Sequence, residues 1–110
     1  MAVGKYVRVK RLILDGIDVP YSPLFSGEAE QFLKDQHSIV GMPDGDEKKA
    51  KLKELVYQFV AMGLTNAGDE KWDGDMVRNK LDRVVINQLQ DLIMKESGLE
   101  VPDPQIPATS

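Results

Sequence analysis

The sequence has no cysteine and only one histidine, His37. A disulfide scaffold, cysteine-ligated zinc, iron–sulfur clusters and thiol catalysis are therefore excluded. So are sites that need two imidazoles. The lack of cysteine says little about compartment, although small secreted domains more often carry disulfides; the expected location is cytoplasmic. Phe, Trp and Tyr make up only 6% of the 110 residues, which makes the expected core aliphatic. No apolar run approaches the roughly 18 residues of a membrane span, and no signal-peptide apolar region follows Met1. No G-x-S-x-G, P-loop or G-x-G-x-x-G is present, so no catalytic residue and no cofactor is assigned.

What remains is a globular composition, 42% hydrophobic and 29% charged, of single-domain size. The net charge of −4 argues against a basic nucleic-acid footprint over the whole chain. The charge is unevenly spread. Lys5, Arg8, Lys10 and Arg11 precede every acid and give residues 1–14 a charge of +4, leaving −8 on the remainder. Lys and Arg on an edge strand discourage edge-to-edge pairing, which is the plainer explanation. Contact with an acidic partner or phosphates is the alternative, with Arg8 and Lys10 as candidate partner-binding residues.

Asp15-Gly16 between two apolar runs predicts a β-hairpin over residues 6–20, because a type I′ turn needs positive φ twice. Pro20 places the second strand at an edge. Three amphipathic helices are expected, at about 22–37, 46–63 and 75–97. Ser22-Pro23 resembles an N-cap followed by proline at the first helical position, with Ser26-Gly27 as a second candidate start. Phe25, Ala29, Phe32 and Leu33 share one face of the first helix. Leu52, Leu55, Val56, Phe59 and Val60 form the stripe of the second, which Gly63 can close. Val77, Leu81, Val84, Val85, Leu89, Leu92 and Ile93 form the face of the third. Gly98 fits a left-handed C-cap, with Leu99 as its hydrophobic contact. The fold class is α+β and helix-dominant: an N-terminal hairpin followed by a small bundle, one domain over 1–100, with 101–110 a flexible proline-containing tail.

Asp69 to Gly74 resembles the opening of a calcium loop. However, Lys71 and Lys80 fall where the third and twelfth positions need oxygen ligands. Capping by Asp73 or Asp75 is the better explanation, and no metal site is assigned. Asp44, Asp46 and Glu47 are read as helix-start acids ahead of the lysines that follow. His37 is placed at a helix C-terminus, which suits an imidazolium. Trp72, set among charged residues, is either a lid folded onto the core or an interface anchor, with the lid favoured. Met76 and Met94 project from the main stripe as adaptable contacts or ordinary surface residues. Trp72, Met76 and Met94 join Arg8 and Lys10 as candidate partner-binding residues.

The segment Val9-Lys10-Arg11-Leu12-Ile13-Leu14-Asp15-Gly16-Ile17-Asp18-Val19, followed by a small helical body, resembles the layout of small tail-assembly chaperones of long-tailed bacteriophages. The ending Lys95-Glu96-Ser97-Gly98-Leu99 is similar in style. The resemblance spans roughly residues 7–100, is organisational, and carries over no site residue. It implies transient binding to the tape-measure protein, whose long apolar helices are kept soluble until the tail tube forms around them. The expected function is thus a non-enzymatic protein-binding or assembly module. Its partner would be a protein, a phage tail structural protein under the resemblance, with a second copy of the chain as a further candidate. A small acidic inhibitor or nucleic-acid mimic that binds a basic protein is the alternative. Direct nucleic-acid binding through the basic strand, with Tyr6 stacking on a base, has the least support.

Overall fold

The computed structural model describes residues 7–68 and 70–99. Two strands, β1 (Lys10–Leu14) and β2 (Ile17–Tyr21), form an antiparallel hairpin. Asp15 at φ 49 and Gly16 at φ 84 supply the two left-handed residues of the turn. The register pairs Leu12 with Val19 and Ile13 with Asp18. Leu12 and Tyr21 are buried, while Ile13 is 71% exposed on the outer face. Residues 7–9, expected in the first strand, precede it, since β1 begins at Lys10; residue 6 lies outside the described residues. β2 ends one residue past Pro20, which lies opposite Arg11. Among the described residues the sheet has only these two strands, so a proline is accommodated at an open edge.

Four helices follow: α1 (Ser26–Val40), α2 (Asp46–Ala67), α3 (Gly74–Lys80) and α4 (Arg83–Glu96). The α+β, helix-dominant class is as expected from the sequence. The helix count and several boundaries are not. Ser22-Pro23 does not start α1. Ser22 is buried in an extended segment and its amide donates to the Gly63 carbonyl at 3.0 Å. The start lies at the second candidate, where the Glu28 carboxylate accepts from the Phe25 amide at 2.9 Å. The helix passes His37, which is exposed in its last turn, and stops at Gly41, two residues before Pro43.

Gly63 does not close α2, which continues to Ala67. It is buried where α4 crosses: a Cβ there would overlap the Ile93 side chain and sit 3.0 Å from the Ser22 carbonyl oxygen. The glycine serves close packing, not termination. α2 is the hub of the fold, since α1, α3, α4 and β2 all pack on it. Phe59, Val60, Val77, Val85, Leu89 and Ile93 form the most deeply buried apolar set.

The expected helix over 75–97 is two helices. The chain is extended at Leu81 and Asp82, and the Asp82 carboxylate accepts from the Val85 amide at 2.9 Å, capping α4. This break resets the phase of the apolar face. Val85, Ile86, Leu89 and Ile93 turn inward, while Val84, expected on the buried face, is 58% exposed. Leu33 is likewise 46% exposed, because α1 buries only Ala29 and Phe32 deeply. Gly98 at φ 73 completes the expected C-cap. The Leu99 amide donates to the Met94 carbonyl and the Gly98 amide to the Lys95 carbonyl, and Leu99 packs on the core. The tail over 101–110 lies outside the described residues.

Candidate functional site

A groove of about 590 Å³ lies between α1, α2 and the start of α3. Phe32 of α1 and Leu55, Ala61 and Met62 of α2 line it, and Trp72 forms one wall. Its polar lining includes Glu28, Gln31, Asp35, Gln58 and Asp73, so among the described residues three carboxylates and no Lys or Arg line it. A shallower extension of about 250 Å³ shares Asp35, Leu55 and Gln58 and runs toward Ile39, Lys51 and Glu54. The stretch of α1 from Gly27 to Ile39 that flanks the two is about 18 Å long at 1.5 Å per residue.

Local chemistry fixes the carboxylates at the groove's edge. Glu28 accepts from the Phe25 amide and from the Asn66 side chain at 2.9 Å, which ties the start of α1 to the end of α2. Asp35 accepts from Gln31 one turn earlier at 2.9 Å. Asp73 accepts from the Met76 amide at 2.9 Å and caps α3. Among the described residues none of the three forms an ion pair, so their negative charge stays available to a cation from outside.

Trp72 is folded onto the core, the arrangement favoured from sequence. Its amide donates to the Thr65 hydroxyl at 2.8 Å, and that hydroxyl is 3.3 Å from the Trp72 carbonyl oxygen. The Lys80 ammonium lies 5.6 Å from the indole centroid, within cation–π range. Because Trp72 also lines the groove, the two sequence-based options for it are not exclusive.

The remaining candidates are scattered. Arg8 and Lys10 both pair with Glu96, at 2.7 and 3.0 Å, and clasp the N-terminal strand to the end of α4. The Lys10 hydrogen bond, with the charges of Lys10 and Arg8, holds the Glu96 carboxyl below its ordinary value. Arg11 pairs with Asp18 across the hairpin at 2.7 Å. Two carboxylates, Glu96 and Asp18, thus engage the three described cations of the basic segment. Met94 packs against the core instead of projecting from it, and Met76 is half-buried. None of Arg8, Lys10, Met76 or Met94 lines the groove.

The acidic clusters are also engaged locally. Asp44 pairs with Lys48, Asp75 with Arg78, and Glu70 approaches Lys80 at 4.0 Å. The segment that resembles a calcium loop becomes helical at Gly74, so its second half cannot wrap an ion. Asp69 lies outside the described residues. Among the described residues no group of three or more His, Asp or Glu side chains is placed to hold a metal ion. No described helix is long and apolar enough to cross a membrane.

Sequence reasoning missed Glu28, Asp35 and Met62 as groove residues. Each reads as an ordinary helix position. Only the packing of α1 on α2 brings them together. Comparison with protein-family models, with curated proteins and with solved structures finds no match.

Proposed function

We propose that this protein is a non-enzymatic binding module that holds an amphipathic helical segment of a protein partner in the α1–α2 groove. The observation that carries this reading is the groove itself. It has an apolar floor of Phe32, Leu55, Ala61 and Met62, an indole wall, and three carboxylates around it that form no ion pair among the described residues. An apolar helix face fits the floor. Lys and Arg beside that face fit Glu28, Asp35 and Asp73. The groove and its extension run along about three turns of α1, enough for anchors at i, i+3, i+4 and i+7 of the guest. Met62 and Trp72 suit such a role, the first because it is adaptable and the second because it is large and amphipathic.

Under the resemblance to phage tail-assembly chaperones, the guest is an apolar helix of the tape-measure protein, shielded before the tube assembles. The acidic-inhibitor alternative draws less support, because Asp44 and Asp75 are paired with cations on their own helices or caps.

Trp72 is the sole tryptophan of the chain, so its fluorescence reports on the groove alone. The test is a titration with a synthetic amphipathic helix, leucine-rich on one face and flanked by lysines. A saturable blue shift is expected, weakened by Met62→Asp and by Asp35→Lys. No change in emission, or an equal response to the same helix flanked by glutamates, would contradict the proposal.

A further inference from the structure

A second cleft, of about 500 Å³, lies between α2, α3 and α4 and shares no residue with the groove. Three cations meet in it: Lys53 from α2, Arg78 from α3 and Arg83 from α4. Among the described residues no carboxylate lines it, although acids outnumber bases in the chain by 18 to 14. Its apolar surface comes from Val56, Tyr57, Leu81 and Ile86. The side-chain amides of Asn87 and Gln90 complete it.

Of the two arginines in the cleft, Arg83 is the less satisfied. Arg8, Arg11 and Arg78 each have an ion-pair partner, and among the described residues Arg83 has none. The neighbouring Asp82 carboxylate is turned onto the Val85 amide as the helix cap. Arg83 is also the first residue of α4, whose opening turn contains no acid. A cation there opposes the positive end of the helix dipole, so its placement costs stability. Lys53 likewise has no ion pair among the described residues. Lys53 and Arg83 are thus two cations without an ion pair among the described residues, the second set against its helix dipole. With Arg78 they lie over an apolar floor and match an anion supplied from outside.

We propose that this cleft binds an acidic peptide segment of a protein partner, in which Asp or Glu side chains are interleaved with apolar ones. The carboxylates meet Lys53, Arg78 and Arg83. The apolar side chains cover Tyr57, Leu81 and Ile86. Asn87 and Gln90 offer donors and acceptors to the guest's backbone, as side-chain amides do for extended peptides. A lone phosphate would fill little of about 500 Å³ and would leave the apolar floor uncovered. The proposal does not depend on the groove having a guest.

The test is calorimetric titration of the full chain at low salt with three probes: a short peptide alternating Glu and Leu, its Lys-for-Glu counterpart, and inorganic phosphate. The acidic peptide is expected to bind, and to bind more weakly as salt rises to about 0.3 M. Arg83→Glu is expected to weaken it about tenfold or more while raising the melting temperature, because the reversed charge suits the helix dipole. A structural role for Arg83 would instead lower the melting temperature. Lys53→Gln, at an exposed position, serves as the second variant and is expected to weaken binding with no change in folding. Weakening of basic-peptide binding by Arg83→Glu to the same extent, binding of phosphate alone, no binding at low salt, or acidic-peptide affinity unchanged in both variants would each overturn the proposal.

Discussion

The rings of Phe32 and Phe59 lie with centroids 4.4 Å apart and planes tilted by 42°, joining α1 to α2 beneath the groove. This contact makes the floor of the site part of the core, since Phe59 is fully buried and Phe32 nearly so. Phe32→Ala is expected to cost about 3–5 kcal/mol, the range for truncating a buried phenylalanine. Phe32→Leu should cost less and retain the fold. Urea denaturation checks this through a lowered midpoint at unchanged slope. A loss under about 1 kcal/mol would mean that α1 is not anchored through this ring.

A second prediction concerns Gly63. Within an ordinary helix, replacing glycine by alanine gains up to about 1 kcal/mol. Here the added methyl would overlap Ile93 and crowd the Ser22 carbonyl, so Gly63→Ala is expected to destabilise. Ile93→Val removes the Cδ1 atom that the methyl would meet. The double variant should therefore be more stable than the sum of the two single losses implies. Thermal melts of the four proteins measure that coupling.

The Glu96 clasp sets a dependence on pH. Its carboxyl titrates below the ordinary 4.5, first because of the Lys10 hydrogen bond and then because of the Lys10 and Arg8 charges. A carboxylate with a depressed folded-state value adds stability above its unfolded value, and that stability disappears as pH falls through the folded one. Glu96→Gln is therefore expected to melt below the parent at pH 7. The gap should close as pH drops below about 4.5. It should also narrow in high salt, because Arg8 and Lys10 are exposed.

Thr65 holds the groove wall by contacting both the amide and the carbonyl of Trp72. Thr65→Val keeps the shape but leaves the Trp72 amide without its partner, an expected loss of about 1–2 kcal/mol. Trp72 emission should shift to the red and become more open to acrylamide quenching. Unchanged emission and quenching would show that packing alone sets the indole.

The hairpin and the α4 C-cap were legible in the sequence because each depends on neighbours in the chain. Asp15-Gly16 supplies two left-handed residues, and Gly98 with Leu99 closes a Schellman motif. The break at Leu81 was hidden because apolar residues recur at helical spacing across it. Only the Asp82 cap interrupts the backbone. Gly63 resembled a helix stop, since the crossing of α4 is not a local property. The groove was illegible for the same reason. Trp72 was singled out, but its floor comes from two helices whose relative placement no periodicity specifies.

The most direct test of the groove as the binding surface is an NMR titration of the isotope-labelled chain with the lysine-flanked amphipathic helix. Shifts concentrated on the signals of Phe32, Leu55, Met62 and Trp72, saturating together with the fluorescence change, are the expected result. Shifts concentrated instead on the exposed apolar residues Val9, just before the hairpin, and Ile13 within it, or on Val84 of α4, would contradict it.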